Sequence, residues 1–378
     1  MSTTQYWVPP GVIDLGLGHP SLSLLPQDLL AQAAQHRFAQ DDRDALQYGP
    51  EQGGPGVRTA LAAFLAAAYG VPISADGLMM TNGVSQALDM ICTVFTQPGD
   101  VVIVEEPTYF LALRIFADHG LRVVCAPMDG AGLLPGALQS LLDAEHARLV
   151  YTIPTHQNPS GATLSAARRA EVLEICRAHN ALLVADEVYH LLTYDGSPPR
   201  PFAAWADDPT VFALGSFSKL LAPGLRLGWL HAAPARMEAL TAWGAAASGG
   251  GLGPFTSSLV QSLLELDLLR GHVETLRRTY AARRDALVDA LQRHAGQHLR
   301  FALPEGGYFL WAEQVQPVDV TRLTTAAAAE RIDFRAGSRF SSRGGLERML
   351  RLCFAYYDED TLAEGVRRLV RALEIAGA

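Results

Sequence analysis

Lys219 stands in the run GSFSKLLAPGLRLGW (215–229), with the hydroxyls of Ser216 and Ser218 just before it and the guanidinium of Arg226 seven residues after. An amine attacks a carbonyl carbon only when unprotonated, so a lysine used that way needs burial or nearby positive charge to lower its pKa. The apolar residues Val211 to Leu214 read as a buried strand leading in. Pro223 and Gly224 read as a turn that folds Arg226 back toward the lysine. Two hydroxyls and a guanidinium around a reactive amine describe a phosphate pocket beside a carbonyl. An isolated S-x-S-K would be a strand end with solvated charges, but the whole run is much harder to reach by chance.

Other segments carry groups of the same kind. TNGVSQALDM (81–90) puts a glycine turn, Gly83, before a helix start, so the amides of Val84 and Ser85 point outward at the positive end of a helix dipole and form an anion cradle; a plain strand-to-helix turn has the same composition. EEPTYF (105–110) presents Tyr109 after a strand, either as core or as a face for a planar ring. PTHQNPSG (154–161) is a polar turn carrying Asn158, which needs no function of its own. LLVADEVYHLL (182–192) ends an apolar strand on Asp186, a costly place for a carboxylate unless a positive partner meets it or it caps a helix in solvent. Arg351, in RLCF (351–354), is suited to bidentate pairing with a carboxylate.

These groups need a scaffold that brings strand ends together. From about residue 77, short β-rich runs alternate with helical patterns, which predicts a mostly parallel sheet covered by helices. The expected strands are Leu78 to Thr81, Val101 to Glu105, Arg122 to Ala126, Leu149 to Ile153, Leu182 to Ala185, Val211 to Leu214 and Leu227 to Ala232. In such sheets ligands collect at the carboxyl ends of the strands, where the polar clusters lie. Leucines at three- and four-residue spacing predict one long helical stretch from Thr256 to His294, and GAAASGGGLG (244–253) predicts a mobile loop. Strands near Tyr308 to Trp311 and Leu350 to Phe354, with a helix from Asp360, form a smaller α+β unit onto which the stretch before Tyr48 is expected to pack.

Composition sets the class. The 378 residues are 49% hydrophobic, and 30 basic against 39 acidic residues give a formal charge of −9, with no basic stripe to suit nucleic acid. Cys92, Cys125, Cys176 and Cys353 lie far apart without zinc-binding spacing, so free thiols and no metal are expected. No stretch has the character of a signal peptide or a membrane span, and a cytoplasmic protein is expected.

In order and interval, these motifs resemble those of the class I/II aminotransferases, the fold type I enzymes that use pyridoxal phosphate. The lysine run matches at Ser216, Ser218, Lys219, Pro223, Gly224, Arg226, Gly228 and Trp229, and the resemblance runs from about Ile13 to Leu373. LQYGPEQG, PTHQNPSG and LRLCFAYYDED are most similar to the 2-aminoadipate and kynurenine-type subgroup. The resemblance implies an α/β fold with a large cofactor-binding domain (45–270) and a small α+β domain (1–44 and 271–378). It implies a Schiff base between Lys219 and the cofactor, with the freed lysine moving the substrate proton. It places Gly83, Val84, Ser85, Ser216, Ser218 and Arg226 on the phosphate, Tyr109 on the ring face, Asp186 on the ring nitrogen, and Asn158 and Tyr189 on the phenolic oxygen. Arg351 would grip the substrate α-carboxylate beside Asn158 and Gly18, and Tyr48 would reach the partner's phosphate in a homodimer. Val84 departs from the family's small residue after the glycine, and the chain starts almost at the Gly-x-Pro segment where subgroup members often have an earlier helix. His19, Arg335 and Arg339 stand between two readings, substrate side-chain contact or solvated turn residues. The implied reaction moves the amino group of an L-amino acid to a 2-oxo acid, 2-oxoglutarate above all. The same groups activate Cα without dictating the next bond, so a β-lyase, decarboxylase, racemase or oxidase is the alternative. A ligand-sensing module of the kind fused to bacterial helix-turn-helix regulators is the other, for which the sequence begins without room.

Overall fold

Runs of valine, isoleucine and leucine with almost no polar interruption suit strands covered on both faces, and those between 78 and 232 form a single eight-stranded sheet. The computed structural model describes residues 8–40, 43–249 and 253–378. The strand order is Leu78–Thr81, Gly228–Ala232, Val211–Ser216, Leu182–Asp186, Leu149–Thr152, Val101–Glu106, Arg122–Asp129 and the short Gly132–Leu133. The five strands from Val211–Ser216 to Arg122–Asp129 pair in parallel, whereas Gly228–Ala232 runs antiparallel to both neighbours. The seven expected strands all form.

Alternate residues of a strand face opposite sides of the sheet, and that alternation sorts the core into two layers. Val102 and Val104 pack with Ala87, Leu88 and Phe116 from helices Val84–Phe95 and Phe110–Asp118. Ile103, Val150 and Leu183 pack with Leu138, Leu142, Val172 and Leu173 from helices Pro135–Glu145 and Ala166–Ala178 on the other face. Because the central strands are parallel, their carboxyl ends at Glu106, Thr152, Asp186 and Ser216 lie along one edge.

A second, antiparallel sheet has the order Leu299–Phe301, Phe309–Gln314, Met349–Cys353, Arg335–Ala336. Helices Leu268–His294 and Glu359–Gly377 pack on each other, and the second also on strands Ile13–Asp14 and Ile332–Asp333. The residues before Tyr48 divide between two surroundings rather than packing only on this unit. Ile13–Asp14 pairs in parallel with Ile332–Asp333, and the Cys353 N–H donates to the Leu15 carbonyl at 2.6 Å. Helix Gln27–Ala39 instead packs on Pro254–Glu265, where Arg37 Nε donates to the Ser258 carbonyl at 3.2 Å and to Ser262 Oγ at 3.1 Å.

Two local expectations are corrected. The stretch from Thr256 to His294 is two helices, Pro254–Glu265 and Leu268–His294, which meet at Asp267 in the left-handed region, φ 52°. Aspartate is one of the few residues that visit this region routinely. The leucine spacing runs through the break unchanged, yet Leu266 is exposed. Of the expected loop at 244–253, Gly244–Gly249 is helical, in keeping with its three alanines, and 250–252 fall outside the described residues. Among the described residues no helix is long and apolar enough to cross a membrane.

Candidate active site

Thirteen of the expected site residues, Gly18, Gly83, Val84, Ser85, Tyr109, Asn158, Asp186, Tyr189, Ser216, Ser218, Lys219, Arg226 and Arg351, line one cavity between the carboxyl edge of the large sheet and the smaller one. Tyr48 does not. Its side chain is 85% exposed and lines a separate surface cleft with Asp44 and Ser257.

The anion side of the cavity is a turn held by its own side chains. Gly83, at φ 81°, precedes helix Val84–Phe95, and the Asn82 N–H donates to Gln86 Oε1 at 2.9 Å. The Gln86 side chain therefore closes this turn. Pro223–Leu225 forms a 3₁₀ turn that leaves Arg226 at φ 48°, and the guanidinium folds back to donate to the Pro223 carbonyl at 3.2 Å and the Asn82 carbonyl at 3.3 Å. A Cβ on Gly83 would stand 3.3 Å from that guanidinium, so the glycine lets the two loops close up. Ser216 Oγ accepts the Ser218 N–H at 3.0 Å.

Packing explains other parts of the lysine run. Gly215 pairs across the strands with Trp229, whose indole lies where a Cβ on Gly215 would be, 2.1 Å away, and Phe217 meets the same indole edge-on at 5.0 Å. Gly215→Ala is therefore expected to destabilise the chain by about 1–3 kcal/mol through overpacking, read as a lowered midpoint in urea unfolding. An unchanged midpoint would show that Trp229 moves aside freely.

Lys219 is the sole lysine of the chain, every other Lys or Arg position being arginine. Its Nζ donates to the Gly18 carbonyl at 2.7 Å and lies 5.3 Å from the Tyr308 ring centre, while the Tyr308 hydroxyl donates to the Lys219 carbonyl at 3.1 Å. Burial pulls its pKa down to about 8; Arg351 and Arg226 push the same way, against Cys353 and Asp186.

Asp186 is only 3% exposed. Its Oδ2 accepts from the Tyr151 hydroxyl at 2.8 Å, and its Oδ1 is buried with no partner. Burial raises its pKa to about 6, with the Tyr151 hydrogen bond opposing. Tyr109 precedes helix Phe110–Asp118, and burial pushes its hydroxyl up to about 12. Tyr189 is buried, its ring 5.5 Å from that of Tyr308, and burial holds its hydroxyl well above the usual tyrosine range.

Arg351 is 3% exposed on strand Met349–Cys353. It donates to Asn158 Oδ1 at 2.9 Å and to the Gly16 carbonyl at 2.7 Å, its Nε is buried without a partner, and its guanidinium lies 3.9 Å from the Phe309 ring centre. Both oxygens are neutral, so a buried cation here is suited to an incoming anion. The other two arginines are engaged elsewhere. Arg335 lines the cavity but pairs with Asp14 at 3.1 Å and Asp333 at 3.0 Å, and Arg339 is exposed over the Phe110 ring at 5.0 Å.

The profile of the family described as aminotransferase class I and II matches residues 10–369. The chain belongs to the class I and II aminotransferases. It is 34% identical to aromatic-amino-acid aminotransferase 1 of Thermococcus litoralis over 96% of this chain and 88% of that relative. The solved multiple substrate aminotransferase of Thermococcus profundus superposes with a TM-score of 0.91 at 32% identity, over 97% of this chain and 92% of the other. The α-aminoadipate aminotransferase of Thermus thermophilus, complexed with N-(5'-phosphopyridoxyl)-L-leucine, gives 0.86 at 32% identity, also over 97% and 92%. The fold is that of the fold type I enzymes, the activity is amino-group transfer and the cofactor is pyridoxal phosphate. The residues of this class I and II aminotransferase fit that group chemically. A buried carboxylate oxygen without a donor suits a protonated ring nitrogen, and a glycine turn with serine hydroxyls and a guanidinium suits a phosphate.

Tyr151, the partner of Asp186, is a site residue that sequence reasoning missed. It comes from strand Leu149–Thr152 beside Leu182–Asp186, and its signal was a lone polar-tipped aromatic in a parallel-strand run. Tyr308 and Phe309 carry no signal in the sequence beyond that of a strand, although they pack against Lys219 and Arg351 respectively.

Proposed function

We propose that this aminotransferase moves the amino group of an L-amino acid to 2-oxoglutarate, with Lys219 as its catalytic residue. The observation that carries the proposal is the meeting in one cavity of three groups whose hydrogen-bond partners are all neutral: the Lys219 amine, the Asp186 carboxylate with its partnerless Oδ1, and the Arg351 guanidinium. Pyridoxal phosphate, when bound, supplies an aldehyde for an amine and a ring that draws off the electron pair left at Cα. Lys219 would hold it covalently, and its Nζ, when free, would be the base that takes the proton from the substrate Cα. Asp186 Oδ1 would accept from the ring nitrogen and keep it protonated. Asn158 and Tyr189 would hold the ring oxygen, and Tyr109 would cover the ring face. The amides following Gly83, at Val84 and Ser85, would hold the phosphate with Ser216, Ser218 and Arg226. Arg351 grips the α-carboxylate, with Asn158 and Gly18 beside it.

The direct test follows the absorbance of the holoenzyme as single amino acids are added. Bleaching of the yellow protein toward a band near about 330 nm, reversed by 2-oxoglutarate, is the expected result. Release of ammonia with pyruvate, of carbon dioxide or of peroxide would overturn it in favour of a different bond cleavage.

We also propose a cytoplasmic homodimer in which Tyr48 completes the partner's phosphate site. Supporting this, Leu22, Phe38, Leu46 and Tyr48 are strongly exposed, and Phe38 and Phe255 meet at 6.2 Å beside Leu46. Apolar exposure of this extent suits an interface. Sedimentation at twice 40.6 kDa is expected, and a monomeric mass would remove Tyr48 from the site.

A further inference from the structure

One wall of the cavity is the segment Gly16-Leu17-Gly18-His19. Gly18 supplies the carbonyl that holds Lys219 Nζ at 2.7 Å, and His19 follows it along the same cavity wall. His19 lines the cavity, and its Nε2 is buried with no hydrogen-bond partner. A buried polar atom left without a partner is costly and calls for an explanation. The ring is neutral at ordinary pH, because burial and the positive charges of Lys219, Arg335 and Arg351 hold its pKa near about 4.

The neighbouring cations do not supply that missing contact. Arg335 shares the cavity but is held by Asp14 at 3.1 Å and Asp333 at 3.0 Å, and turning it toward a substrate would break both pairs. Arg351 hydrogen-bonds Asn158 and the Gly16 carbonyl, which fixes it at the place assigned to the α-carboxylate. What remains for the rest of the substrate is an imidazole nitrogen in a positive field, which favours an electron-rich oxygen over an N–H group.

We propose that His19 is a specificity-determining residue, its Nε2 hydrogen-bonding the far end of the substrate side chain so that the site favours side chains ending in oxygen: a phenol, a carboxamide or a carboxyl. The proposal rests on the transaminase reading of the Lys219 cavity. It predicts discrimination between substrates of one shape that differ only in that oxygen, since a site built to pair a hydroxyl disfavours the analogue lacking it.

The test compares tyrosine with phenylalanine as donors to the holoenzyme, and 3-(4-hydroxyphenyl)propanoate with 3-phenylpropanoate as non-reacting competitive inhibitors. In the native chain the hydroxylated member of each pair is expected to be preferred. In His19→Phe that preference, read as a ratio of kcat/KM values and a ratio of inhibition constants, falls by about tenfold, and His19→Gln, which keeps an N–H, restores most of it. Should His19→Phe lose its cooperative unfolding transition, His19→Leu carries the same comparison. Ratios within about twofold of the native ones in the apolar variants would overturn the proposal. Failure of the native holoenzyme to transfer an amino group from any donor would overturn the transaminase reading instead, and the inhibition ratios would still decide His19.

Discussion

Lys219→Ala is expected to lower kcat by at least about 10⁴-fold, the upper range for a positioned acid–base group, with the covalent hold on the cofactor lost as well. The prediction is sharp because no second lysine exists to stand in: the variant contains no ε-amine at all. Single-turnover rates with a good donor, alongside thermal unfolding to confirm the fold, make the measurement. Activity within tenfold of native would take the proton-moving role away from this residue. A companion expectation concerns pH. Burial brings the Lys219 pKa down from 10.5 to about 8, and only the neutral amine reacts, so labelling of Lys219 in the cofactor-free chain by an amine reagent should rise as pH passes through about 8 and then level off. A rise only above about pH 10 would mean that the amine is solvated.

Asp186→Ala is expected to lower kcat by about 10²–10³-fold, as when one preorganised electrostatic partner is removed from a reacting centre, and to loosen cofactor retention measured by equilibrium dialysis. Alanine also strands the Tyr151 hydroxyl, which Asp186 Oδ2 accepts at 2.8 Å, so Asp186→Asn is the discriminating partner. It keeps an oxygen for Tyr151 but removes the charge, and a loss nearly as large as in alanine assigns the effect to charge. Native-like kinetics and retention in both variants would sink the pairing. The pH sign follows from burial: the carboxyl of the empty site titrates near about 6, so retention should weaken as pH falls through that value, where Asp186 takes up a proton and its charge is lost.

Much of this was legible from residue type and interval, and the reasons differ by residue. Lys219, Arg226 and the serines lie within one run, joined by a turn whose chemistry Pro223 and Gly224 dictate, so their meeting is a local event. Asp186 announced itself as a carboxylate ending an apolar strand, and Arg351 as a guanidinium within one. What could not be read depended on register and on side-chain direction. Tyr151 reaches Asp186 because two strands align with Tyr151 opposite Val184, and nothing local to Tyr151 states that alignment. Gln86 closes the turn it follows instead of facing the cavity. His19 and Arg335 have the same standing as polar residues near a substrate; Asp14, 321 positions from Arg335 in sequence, joins Asp333, only two before it, and the pair decides that Arg335 is occupied while His19 Nε2 is not. The break at Asp267 was invisible because the leucine period continues through it, helix boundaries being set there by one backbone angle.

The pairing of Ile13–Asp14 with Ile332–Asp333, and of Leu15 with Cys353, bears on how the chain is made. Residues 78–232, which build the whole large sheet, leave the ribosome long before residues 332–353 exist, and contacts of such sequence separation form late. The segment that carries Gly18 and His19 has no small sheet to join until then. A nascent chain whose large sheet had already formed would therefore hold Lys219 in a half-walled pocket until the small sheet was made.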